Sequence, residues 1–111
     1  MGYKSIINFD GKNLIDIDGL VFHKTCDAWP EQYDVYKGSK QVAYIRLRMG
    51  SLTVRIPDVD GELVYYKNYE NDPTKGYFYT QEERMGQLRR IVKILKRERT
   101  NANKRKRNKE Y

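Results

Sequence analysis

Cysteine is nearly absent from this chain. Cys26 is the only one, which excludes an internal disulfide and any multi-cysteine zinc site. His23 is the only histidine, so a metal centre needs several carboxylates converging from elsewhere. Hydrophobic residues are sparse, 39% of 111 residues, where an average domain has about 45–50%. The core must be small. No apolar run approaches the roughly 18 residues of a membrane span, so no membrane partner is expected. Ile6 stands where myristoylation requires Ser or Thr, and no signal-like apolar segment follows. There is no phosphate-binding glycine loop and no Ser/His/Asp set. A single soluble domain without cofactor or metal is expected, and no enzyme.

What the chain does have is positive charge, unevenly placed. The formal net charge is +7. Residues 1–80 carry ten Lys+Arg against eleven Asp+Glu, a net of −1, and residues 81–111 carry twelve against four, a net of +8. Basic blocks of this kind serve as interaction tails for polyanions, or simply as solvated helix faces.

Short apolar runs punctuated by turn residues fill the first two thirds. Ile6, Ile7 and Phe9 precede Asp10-Gly11; Leu14, Ile15 and Ile17 precede Asp18-Gly19; Leu20, Val21 and Phe22 follow. Asp-Gly between apolar runs signals a hairpin, because both turn residues must accept positive φ. Residues 32–36, 41–49, 52–56 and 62–68 read as four further strands, separated by Gly38-Ser39, Gly50-Ser51 and 58–61. The close spacing predicts an antiparallel meander.

A turn at Gly50-Ser51 pairs Met49 with Leu52, Leu47 with Val54 and Ile45 with Ile56, sending this face to the core. The other face then carries Tyr44, Arg46 and Arg48, with Arg46 directly across from Arg55. Like charges so placed are destabilising. Either Asp34 or Glu62 bridges the pair, or an external anion does.

Thr80-Gln81-Glu82-Glu83 matches a capping box. Met85, Leu88, Ile91, Val92 and Leu95 follow at helical spacing, predicting a helix over 81–99, with Gly86 marking a close approach to the sheet. The expected domain is 1–99, and 100–111 form a basic, disordered tail. Arg89, Arg90, Lys93, Lys96, Arg97, Arg99, Lys104, Arg105, Lys106 and Arg107 supply cations at a density suited to phosphates, and Glu98 is the one acid within 84–109.

Tyr65, Tyr66, Tyr69, Tyr77, Phe78 and Tyr79 form a second concentration. Strand parity sends Leu63 and Tyr65 inward, and Val64 and Tyr66 outward. Such tyrosines serve as core, as protein contacts or as base-stacking surfaces. His23 and Cys26 point to opposite faces if 20–25 is a strand, which disfavours a nucleophile–base pair. Asp58-Val59-Asp60-Gly61-Glu62 begins like a calcium loop, but the glycine is early and later ligands are missing; it reads as a turn. Asp16 and Asp18 share a strand face that a divalent cation or solvent could occupy.

The stretch Phe22-His23-Lys24-Thr25-Cys26-Asp27-Ala28-Trp29-Pro30-Glu31-Gln32-Tyr33-Asp34-Val35-Tyr36, continuing through 41–48 and Ile56-Pro57-Asp58 with Gly61-Glu62, resembles small, mostly uncharacterised accessory proteins of phages and mobile elements of Gram-positive gut bacteria. The resemblance covers about residues 20–70. It implies a cytoplasmic setting in a bacterial host and binding to host machinery, inhibitors of CRISPR effectors included. It brings no catalytic residues.

The expected fold is α+β, an antiparallel meander of five to seven strands covered on one face by one C-terminal helix. The expected function is non-enzymatic binding of nucleic acid or a ribonucleoprotein through the helix and tail. Tyr44, Arg46, Arg48, Arg55 and Tyr66 form a secondary surface. The alternative is a protein-directed, anti-CRISPR-like inhibitor that contacts a host protein effector.

Overall fold

The computed structural model describes residues 14–26 and 29–108. Six strands, β1 (Leu14–Ile17), β2 (Leu20–Lys24), β3 (Glu31–Lys37), β4 (Lys40–Arg48), β5 (Ser51–Ile56) and β6 (Glu62–Asn68), form one antiparallel sheet in sequential order, followed by the helix α1 (Gln81–Asn108). The architecture is the expected α+β meander. The strand and turn predicted from Ile6, Ile7, Phe9 and Asp10-Gly11 lie outside the described residues.

Turn chemistry sets the hairpins. Asp18 and Gly19 take φ of 53° and 87° between β1 and β2, the double positive φ of a two-residue hairpin loop whose twist matches its strands. The β4–β5 turn has the same form but sits one residue earlier than predicted, at Met49 (φ 51°) and Gly50 (φ 74°). Leu47 therefore pairs with Leu52, Ile45 with Val54, Arg46 with Thr53 and Tyr44 with Arg55. The shift preserves parity, so the predicted inward face survives, Met49 excepted. The predicted Arg46–Arg55 opposition does not form, and no acid has to bridge it. Asp34 instead accepts from Gln41 at 3.2 Å, and Arg55 donates to the Gly61 carbonyl at 3.1 Å.

The reason for the shift is the segment that leads to the helix. Tyr69 donates its amide to the Gly50 carbonyl (2.7 Å), Gly50 donates to the Lys75 carbonyl (2.9 Å) and Glu31 donates to the Gly76 carbonyl (2.7 Å). A Cβ on Gly50 would lie 3.0 Å from the Asp72 carbonyl and Pro73. Glycine is needed where the crossing chain presses on the turn, and the non-glycine position falls on Met49.

A register irregularity at Val54/Arg55 corrects the reading of β6. Tyr65 stays opposite Val54, but Arg55 pairs with Leu63 and leaves Val64 as the extra residue. Val64 packs on the core beside Tyr65, and Leu63 is exposed. An inserted residue reverses alternation locally.

The core joins one sheet face, including Ile17, Phe22, Tyr33, Val35, Ile45, Leu47, Leu52 and Val54, to the helix stripe of Met85, Leu88, Ile91, Val92 and Leu95. Thr80 caps α1 by accepting from the Glu83 amide at 3.0 Å. Glu83 reaches back to the Tyr79 amide (2.9 Å), one residue before the expected Thr80. The helix continues past the expected end at Arg99 to Asn108, in place of a disordered start to the tail. Gly86 does not mark a close approach: a Cβ there meets nothing within 4 Å. Gly86→Ala is accordingly expected to stabilise the fold by about 1 kcal/mol, read as a higher urea midpoint at unchanged slope.

Candidate nucleic-acid interface

The face of α1 turned away from the core and the edge strand β6 enclose an open groove of about 740 Å³. Its walls are Arg89, Arg90, Lys93, Arg97 and Glu98, its floor is Val64, Tyr65 and Ile94, and Gly86 leaves one end open. Gly86, Arg90, Lys93 and Arg97 recur at steps of four, three and four, the spacing that aligns residues on one helical face. The β6 bulge brings Val64 to the floor. Sequence patterning found the cations and places Ile94 at the border of their face; it missed Val64, because the groove exists only where strand and helix meet.

The expected cations do not behave alike. Arg90, Lys93, Arg97 and Arg99 are exposed and carry no ion pair or side-chain hydrogen bond among the described residues. Lys96 is partly spent on the body, pairing with Asp18 at 3.3 Å. Arg89 is half-buried on the groove wall. Lys104, Arg105, Lys106 and Arg107 belong to the last turns of α1.

Arg84, just upstream, is structural. Its guanidinium donates to the buried Glu31 carboxylate at 2.6 and 3.1 Å, to the Phe78 carbonyl at 3.0 Å and to Gln81 at 2.8 Å. Glu31 also accepts from the Tyr33 hydroxyl and from the Phe78 amide at 2.9 Å. Burial alone would raise the Glu31 pKa, but the Arg84 and Tyr33 hydrogen bonds, the Phe78 amide and the Arg84 charge together hold it below its ordinary value. Burial and the Glu31 charge push the Tyr33 hydroxyl strongly up. Glu31 shares the inward parity of Tyr33 and Val35, so its burial was readable from alternation.

The aromatic cluster is divided, with Tyr66, Tyr77 and Tyr79 exposed. Phe78 is buried. Lys75, itself buried, sits 3.5 Å over the Tyr79 ring and pairs with Glu83 at 3.1 Å. The Tyr79 hydroxyl donates to Asp72 at 2.5 Å, and that bond, with some desolvation, pushes its pKa up to about 12. Tyr65 faces the groove, and Tyr66 stands exposed on the outer face.

On the secondary surface, Tyr44 is tied to Gln32 and Arg55 to Gly61. Tyr66 approaches Ser51 at 3.3 Å. Arg46 and Arg48 make no side-chain hydrogen bond or ion pair among the described residues. His23 pairs in register with Asp34 and packs its ring 4.9 Å from that of Tyr36. Asp58 closes its own turn by accepting from the Asp60 amide at 3.0 Å, and Asp16 does the same for Gly19 at 3.1 Å. Among the described residues no three His, Cys, Asp or Glu side chains gather where a metal ion could sit, and no helix is long and apolar enough to cross a membrane.

Comparison with protein-family models, curated proteins and solved structures returns no match.

Proposed function

We propose that the protein is a small, non-enzymatic binding protein of the phage-accessory type that engages nucleic acid, or a complex bearing it, through α1. One observation supports this reading above the others. Arg90, Lys93 and Arg97 line one groove without a carboxylate partner among the described residues. Cations three and four residues apart on a helix repel by about 0.2–0.5 kcal/mol per pair. A chain of phosphates laid along the groove reverses that sign. Such contacts position a nucleic acid without reading its sequence, so RNA and DNA of mixed sequence are both expected to bind. Tyr65 on the floor offers a ring to an unpaired base.

Salt dependence tests the reading. Anisotropy of a labelled DNA duplex, titrated at several salt concentrations, is expected to give log K falling with log salt at about −0.9 per neutralised phosphate. The groove cations then set a slope of about −3 or steeper. A flat dependence rejects the proposal.

A second reading, a protein-directed inhibitor of a host defence nuclease, draws on the outer sheet face, where Arg46, Arg48 and Tyr66 stand without an ion pair among the described residues. Hot spots of protein interfaces are enriched in Arg and Tyr.

A further inference from the structure

We propose that the outer sheet face carries a second, separate binding site, a pocket for an acidic segment of a partner protein with one apolar side chain as its anchor. The pocket encloses about 320 Å³ between Trp29, Gln32, Arg46, Arg48, Met49 and Gly76.

Two large apolar side chains stand in water here, Trp29 at 57% and Met49 at 60% exposure. Trp29 is nevertheless fixed. A Cβ on Gly76 would lie 2.5 Å from its Cδ1 and Nε1 atoms, so the indole rests directly on backbone. That backbone is itself held, because the Gly76 carbonyl accepts from the Glu31 amide. An exposed ring already held in place loses little freedom on binding. Met49 arrives by the positive-φ turn, which turns it out of the predicted core face and onto the rim.

The charges complement this apolar floor. Arg46 and Arg48 alternate on β4, so both project to the outer face. Arg46 is half-buried and Arg48 exposed, and neither guanidinium has a hydrogen bond or ion pair among the described residues. A half-buried guanidinium with no partner among the described residues has a strong preference for an added carboxylate, whose oxygens match its fork in two parallel bonds. Trp, Met and Arg are the side chains enriched at protein interfaces, where Lys, Glu and Asp are depleted; among the described residues no Lys, Glu or Asp lines this pocket. The α1 groove has the opposite character, cations with little aromatic surface. The pocket therefore favours protein over nucleic acid. It is independent of the polyanion reading of α1, and it rests on the second reading only in placing a protein on this face.

Trp29 is the sole tryptophan, so its emission reports on this pocket alone. The full chain is titrated with the tryptophan-free peptide acetyl-Asp-Glu-Phe-Asp-Glu-amide, with its Asn/Gln analogue, and with a single-stranded thymidine oligonucleotide. The expected result is a saturable emission shift with the acidic peptide only, weakened about tenfold or more in Arg46→Gln/Arg48→Gln and retained in Arg90→Glu/Lys93→Glu/Arg97→Glu. No shift with the acidic peptide overturns the proposal, as does unchanged affinity in the Arg46/Arg48 variant. A shift with the oligonucleotide alone gives the pocket to nucleic acid and also overturns it. A shift lost only in the α1 variant places the peptide in the groove, which sinks the pocket and leaves the polyanion reading standing. The expected shift in a protein that inhibits no nuclease keeps the pocket and removes the inhibitor reading.

Discussion

Glu31→Ala is expected to destabilise the protein by about 3–5 kcal/mol, the cost of breaking a buried ion pair from one side. That is a large share of the roughly 5–15 kcal/mol that holds a domain folded. The variant strips Arg84 of its carboxylate and leaves the Tyr33 hydroxyl and Phe78 amide without their acceptor. Urea denaturation checks the size of the loss. Replacing both partners, Glu31→Leu with Arg84→Met, is expected to recover only part of it: a pair removed together leaves no buried charge, but the Tyr33 hydroxyl and Phe78 amide still lack their acceptor. If Glu31→Ala alone costs less than about 1 kcal/mol, the ion pair is not what anchors α1 to the sheet.

The same carboxylate sets an acid limit. Its folded pKa lies below the ordinary value near 4.5, because Arg84, Tyr33 and the Phe78 amide outweigh burial. A depressed carboxylate contributes stability that is complete above the unfolded pKa and is lost as pH falls through the folded one. The thermal midpoint is therefore expected to hold from neutral pH down to about 4.5 and to fall below it, with a smaller acid-side fall in Glu31→Gln. Equal falls in both proteins would assign the acid sensitivity to other carboxylates.

Reversing the groove, Arg90→Glu with Lys93→Glu and Arg97→Glu, is expected to weaken nucleic-acid binding about a hundredfold or more at physiological salt and to flatten the salt slope by about three. The three side chains are exposed, so far-ultraviolet circular dichroism should not change. Arg99→Glu alone, outside the groove, should cost far less. Binding that survives the triple reversal moves the interface to another surface.

How much of this could be read beforehand depended on whether the cause was local. Asp18-Gly19 advertised its turn, since both residues tolerate positive φ. Met49 did not, because a crossing segment from a distant part of the chain claims Gly50 and forces φ 51° on its neighbour. The β6 bulge escaped for a similar reason: alternation carries no mark of an inserted residue. The helix end at Arg99 was set where the apolar period stops, yet no Gly or Pro follows and Lys, Arg and Ala sustain a helix. Among site residues the cations were legible and their groove was not, because Val64 and Tyr65 become its floor only when β6 meets α1. Trp29 was read as a loop residue, and only its contact with Gly76 makes it a platform.

The segment from Tyr69 to Thr80 also governs tempo. It ties the β4–β5 turn, the start of β3 and the first turn of α1 into one frame. These bonds hold the start of α1 to the sheet, so on the proposed reading the groove is expected to keep its width when a nucleic acid binds. The expected association kinetics are then set by encounter and orientation, with a rate that follows charge and ionic strength and no slow phase for rearrangement.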